Sequence, residues 1–154
     1  MQMFLLRHGE AQLFADSDPQ RALTSTGYHE TKAILSQSKV ELQTVTKIIA
    51  SPYLRAQQTA ELVSQYLELP IETNELLTPE GSVAKVSELI DQNHQQVPLL
   101  VTHQPLVGSF VDWICGLAPG RHMMGTSALA YIQADVVAGS CGELIWLHQP
   151  GMSL

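Results

Sequence analysis

The sequence predicts an α/β fold: a single-domain three-layer αβα sandwich with a mainly parallel central sheet and a C-terminal antiparallel hairpin. Three observations carry this expectation. Short apolar runs alternate with amphipathic segments of helical length, the pattern of strands joined by crossover helices. The runs are apolar throughout, as strands covered on both faces are. Near the end the pattern changes to two apolar segments around a Gly/Ser turn. A chain of 154 residues can bury roughly 70% of the surface its unfolded form exposes, so one domain over residues 1–154 needs no metal or disulfide to hold it.

In chain order, Met3 to Leu6 is too short for a buried helix and reads as a central strand. Thr24 caps a helix running to about Ser38, with Tyr28, Ile34 and Leu35 as its apolar positions. Lys47 to Ala50 is a second strand. Ser51-Pro52 supplies a cap and a first-turn proline for a helix in which Leu54, Ala56, Ala60, Val63 and Leu67 recur at helical spacing. A weak extended piece follows over Pro70 to Thr73, then a helix from Pro79 to Asn93 capped by Thr78. Val97 to Thr102 is a third buried strand. Pro105 to Cys115 is a helix with Leu106, Phe110, Val111 and Ile114 on one side and Gly116 placed to stop it. Ser127 to Asp135 and Glu143 to His148 form the hairpin around Ala138 to Gly142.

Composition narrows the function classes. The net charge is −7 and the eight Lys and Arg are scattered, so no basic run marks a nucleic-acid or membrane-surface partner. No apolar stretch is long enough to span a bilayer, and the N-terminus lacks the build of a signal peptide, which points to the cytoplasm. The two cysteines, Cys115 and Cys141, have neither the number of a disulfide framework nor the spacing of a zinc site.

The chemistry is expected where the three buried strands end, because ligands of open parallel sheets bind outside the strands' carboxyl ends. The first strand runs into Arg7-His8-Gly9, the second is followed within one helical turn by Arg55, and the third runs into His103. A cation in the first turn of a helix is unfavourable by a few tenths of a kcal/mol unless an anion faces it, so Arg55 suggests an anion site. Two arginines oppose a bound metal cation but suit the oxygens of a phosphate. No metal or other cofactor is therefore expected. A phosphoryl group clamped by arginines needs an in-line nucleophile, which a neutral imidazole provides. Arg7 would hold His8 neutral, Gly9 would let a ligand approach the backbone, and His103 would be protonated or donate a hydrogen bond to phosphoryl oxygens. His29, His94, His122 and His148 lack such company and are assigned to structure or surface.

These residues carry a resemblance. L-R-H-G at Leu6 to Gly9, L-T-x-x-G at Leu23 to Gly27, S-P-x-x-R-A-x-Q-T at Ser51 to Thr59 and V-T-H-Q-P at Val101 to Pro105 together resemble the histidine phosphatase, or phosphoglycerate mutase-like, superfamily. D-x-x-R-x-L-T at Asp18 to Thr24 and H-x-P-L-V-G at His103 to Gly108 look most like its small bacterial SixA-type phosphohistidine phosphatases. The resemblance implies that His8 is transiently phosphorylated, that Arg7 and Arg55 bind the phosphoryl group and that His103 completes the pocket. It also implies a substrate, phosphohistidine on a histidine-containing phosphotransfer protein of a two-component relay. Arg21 is either a phosphate-pocket or rim residue, or a loop arginine held by Asp18 or Asp16.

The chain departs from larger family members in lacking a long covering insertion, and their proton-donating carboxylate is hard to place. Glu80 and Asp18 are the candidates for a general acid. Glu80 also suits a helix's first turn, and Asp18 could instead orient Arg21. An alkoxide leaving group gains roughly 10²–10⁴-fold from a positioned acid, whereas an imidazole leaves readily without one. The expectation is thus a metal-independent phosphohistidine phosphatase. The alternatives are a phosphatase or mutase for small phosphomonoesters, and a non-catalytic phosphoprotein-binding module.

Overall fold

A computed structural model of the chain describes residues 1–151. Strand β1 (Gln2–Arg7) lies near the middle of a six-stranded sheet and is joined on one side to β4 (Pro98–Thr102), then β2 (Lys47–Ala50), then β3 (Ile71–Thr73), all parallel. On its other side β5 (Leu129–Ala134) and β6 (Gly142–His148) form the antiparallel hairpin. Side chains alternate across a strand, and the two faces of β1 therefore serve two cores. Phe4 and Leu6 pack with Ile34, Leu35, Ala56, Ala60 and Val63 beneath α1 (Ser25–Gln37) and α3 (Leu54–Leu67). Met3 and Leu5 pack with Val86, Ile90, Phe110 and Val111 beneath α4 (Val83–Gln92) and α5 (Leu106–Ile114). A short helix, α2 (Lys39–Leu42), follows α1 directly. The expected sandwich and hairpin are both present.

Thr24 caps α1 by accepting from Gly27 N at 3.0 Å, and Gly116 stops the α5 segment at φ 68°. Two expected helix starts are corrected. Residues Pro79 to Ser82 are not helical. Glu75–Leu77 form a single 3-10 turn, Gly81 N then donates to Thr78 O at 2.9 Å, and α4 begins only after Ser82, whose hydroxyl accepts from Lys85 N. Gly81 makes the tight return possible, since a Cβ there would collide with the Leu76 carbonyl. Nor does Ser51 cap α3, which starts after Tyr53. The Ser51 hydroxyl has another partner, described below.

Register places the functional strand ends side by side. Arg7 lies opposite Thr102 and Ala50 opposite Val101, so His8, His103 and Ser51 leave the same edge of the sheet as neighbours.

Candidate active site

The His8 ring is buried. Its Nδ1 lies 2.7 Å from the Gly9 carbonyl and its Nε2 3.4 Å from Arg55 Nε. A carbonyl only accepts and a guanidinium only donates, which fixes the tautomer: Nδ1 carries the proton and Nε2 presents its lone pair. Burial lowers the His8 pKa to about 4, opposed in part by the Gly9 hydrogen bond and aided by the charges of Arg55, Arg7 and Arg21. The imidazole is therefore neutral, with burial a larger cause than the Arg7 charge that the sequence suggested.

Arg55 is 4% exposed, and its guanidinium makes three contacts besides packing over the Tyr53 ring at 5.0 Å. Nε faces His8, Nη1 donates to Asp18 O at 2.7 Å and Nη2 to Asp18 Oδ2 at 3.2 Å. Part of the negative charge required by a cation in the helix's first turn is thus supplied by Asp18. Arg7 Nη1 donates to Met124 O at 2.8 Å, while its buried Nε finds no acceptor among the described residues. Burial, then the charge of Arg55, lowers the Arg7 pKa. Two guanidiniums in mutual repulsion, one with an idle donor, form a site short of an anion.

His103 lies beside His8, ring centroids 5.1 Å apart, with the Tyr53 ring edge-on at 5.1 Å. Its Nε2 is 2.7 Å from Ser51 Oγ, which also accepts from Tyr53 N at 3.2 Å. The Ser51 hydroxyl, with one proton and two lone pairs, can donate to His103 Nε2 while it accepts from Tyr53 N. In that arrangement the hydrogen sits on Nδ1, a buried atom with no partner among the described residues. Burial, then His8 and Arg55, lowers the His103 pKa to about 3. Of the two forms the sequence allowed, the neutral donor is the one this environment favours.

Asp18 and Arg21 lie on the rim. Arg21 donates to Asp18 Oδ1 at 2.8 Å and to Gln12 O at 2.7 Å, so it is the loop arginine held by Asp18, close enough for its charge to act on His8. The hydrogen bond from Arg21, then that from Arg55, holds the Asp18 carboxyl below its usual range. An ionised, doubly paired carboxylate has no proton to donate. Glu80 is exposed in the turn before α4, outside any helix's first turn, and its charge acts on Tyr53 at the pocket's edge.

Gly9 has a different task from the expected one. A Cβ there would lie 2.9 Å from Gly27 O and 3.0 Å from Thr31 Oγ1, so the glycine admits the start of α1 and not a ligand. Gly9 N donates to Thr59 Oγ1, whose hydroxyl donates to Arg55 O, tying the His8 loop to α3. Sequence reasoning missed Ser51, Tyr53, Thr59 and Met124. The first three stand inside the S-P-x-x-R-A-x-Q-T block, where they could have been found, whereas Met124 contributes only a carbonyl and leaves no side-chain signal. Among the described residues, no group of three or more His, Cys, Asp or Glu is placed to hold a metal ion.

Residues 3–78 match the family model of the histidine phosphatase superfamily, branch 1. The chain is 37% identical to the phosphohistidine phosphatase SixA of Escherichia coli (strain K12), over 97% of this chain and 94% of that protein. It is 35% identical to a SixA homolog of Haemophilus influenzae, over 75% of this chain and 78% of the relative. Among solved structures, the protein histidine phosphatase SixA complexed with tungstate superposes with a TM-score of 0.86 at 37% identity, covering 97% of each chain.

Proposed function

The chain belongs to the histidine phosphatase superfamily, and from that premise we propose that it is a metal-independent phosphohistidine phosphatase. Its substrate is phosphohistidine on a histidine-containing phosphotransfer protein of a cytoplasmic two-component relay. The observation that carries the reading is the wiring of His8: Nδ1–H is spent on Gly9 O, and the free Nε2 lone pair is set beside Arg55.

In the first step His8 Nε2 attacks phosphorus and the P–N bond of the substrate phosphohistidine breaks, its electron pair returning to the substrate ring, which carries a proton on its other nitrogen and so leaves as neutral imidazole. Arg7, Arg55 and the Nδ1–H of His103 bind the phosphoryl oxygens, with Arg21 on the rim. In the second step a water oxygen bonds to phosphorus, the Nε2–P bond breaks and the water's proton passes to solvent. Orthophosphate leaves and His8 is regenerated in its starting tautomer.

Neither step requires a carboxylic acid, in keeping with an ionised Asp18 and an exposed Glu80. The test is turnover of a phosphorylated phosphotransfer domain beside a panel of small phosphate esters. Preference for the phosphodomain is the expected result, and preference for the esters overturns the reading.

A further inference from the structure

Among the described residues, eight large apolar side chains are substantially exposed, and their distribution is uneven. Val40, Tyr66, Val136 and Ile145 are scattered over α2, α3 and the hairpin, as isolated surface apolar residues commonly are. Leu13, Phe14, Leu54 and Met123, exposed at 80%, 86%, 39% and 79%, all belong to segments that also supply a contact to the site. Leu13 and Phe14 follow Gln12, whose carbonyl binds Arg21, and their loop returns at Asp18, which binds Arg55. Leu54 precedes Arg55 in the chain. Met123 precedes Met124, whose carbonyl binds Arg7.

We infer that Leu13, Phe14, Leu54 and Met123 form an apolar rim that docks the helical face of a phosphoprotein around its phosphohistidine. The inference rests on the proposed phosphohistidine phosphatase reading. His8, Arg55 and His103 are buried at 6%, 4% and 1% exposure, so a phosphohistidine reaches Nε2 only by its own side-chain length. The substrate's backbone stops at the rim, and residues beside the phosphohistidine must meet it. On a helix those are the residues three and four positions away on either side. Glu10 and Glu80 are exposed on the same edge and disfavour an acidic face, leaving apolar or basic flanks as the match. Rim and pocket then divide the work: the pocket binds phosphoryl and the rim selects the protein that carries it.

The experiment compares kcat/KM on a phosphorylated phosphotransfer domain with kcat/KM on the free amino acid phosphohistidine. Phe14→Asp and Met123→Asp are exposed substitutions that leave the pocket's hydrogen bonds intact, and Val136→Asp at the opposite edge is the control. The rim variants should lose about tenfold or more on the phosphodomain while free phosphohistidine and the control change by less than about twofold. Unchanged turnover of the phosphodomain, or equal loss on both substrates, would overturn the docking surface. Loss of self-association by the rim variants without loss of phosphodomain turnover would assign the rim to a second copy of the chain. A wild-type protein inactive on every phosphohistidine substrate would instead remove the underlying reading.

Discussion

His8 and His103 leave adjacent strands with their rings 5.1 Å apart, both buried and both neutral, yet they are wired in opposite senses. His8 is held at Nδ1 by a backbone carbonyl, which can only accept, and so its Nε2 is free to attack. His103 is held at Nε2 by the Ser51 hydroxyl, which can donate to it, and its buried Nδ1 has no partner among the described residues. In the proposed mechanism one imidazole is the nucleophile and its neighbour a donor, although burial lowers the pKa of both. The identity of the hydrogen-bonding partner, more than the pKa, divides their roles.

The largest effect should come from breaking the nucleophile's side of this pair. His8→Ala should reduce phosphohistidine turnover by at least several hundred-fold while vanadate or tungstate binding falls far less, because the arginines supply most of the anion affinity. Arg55→Ala should weaken both, by an amount on the order of 1.5–3 kcal/mol for a lost charge-assisted contact. Steady-state kinetics beside calorimetric titration with the oxyanion separates the two patterns.

The donor's side is open to a gentler change. His8's holder is a main-chain carbonyl that no substitution removes, but Ser51→Ala removes the group that fixes the His103 tautomer. It should lower kcat/KM by about five- to tenfold, the worth of one hydrogen bond, and cost about 1–3 kcal/mol of stability, because His103 Nε2 and Tyr53 N lose their partner. Full activity in Ser51→Ala would show that His103 does not depend on that tautomer.

A pH profile probes the two imidazoles together, since kcat/KM reports the free enzyme's groups. With a His8 pKa of about 4, roughly 90% of the nucleophile is still neutral at pH 5, against about 3% for an ordinary histidine. The acid limb should therefore lie near pH 4. Stability responds in the same direction. The unfolded histidines take up protons near pH 6.5, before the folded ones do, so their contribution is fully present above 6.5. It is lost as pH falls through about 4 for His8 and about 3 for His103. Melting curves at pH 7 and pH 5 check the sign.

Most of this site was legible because its groups are side chains at strand ends. Arg7, His8, Arg55 and His103 each follow a buried apolar run, and a parallel sheet brings such positions to one edge. What the sequence hid was assigned by tertiary contacts. Ser51 has the residue type and position of a helix cap, and only the approach of His103 diverts its hydroxyl. Pro79 and Glu80 read as a helix start, yet packing of Gly81 against Leu76 and Leu106 closes a turn there and delays α4 to Val83. Gly9 serves the Gly27 turn of α1, a partner 18 positions away that local spacing does not reveal.

The smallest effects separate the carboxylates from the histidines. Glu80→Gln should be nearly silent on phosphohistidine, and Asp18→Asn should change its turnover by only a few-fold, because Arg55 keeps its bond to the Asp18 carbonyl. A general acid in either place would cost roughly 10²-fold or more on ester substrates. Parallel assays of the two variants on phosphohistidine and on an alkyl phosphate measure this directly.

In the proposed mechanism the hydrogen bond from Nδ1 to Gly9 O leaves Nε2 of His8 as the attacking atom, and the position of the phosphoryl group in the trapped intermediate reports which nitrogen attacked. Rapid quenching of the enzyme with a phosphodomain into base, followed by phosphorus NMR and peptide mapping, reads that position. The expected species is a base-stable phosphohistidine at His8, bonded through Nε2 and absent from His8→Ala. Phosphoryl on Nδ1 of His8, or on His103 in place of His8, would contradict it.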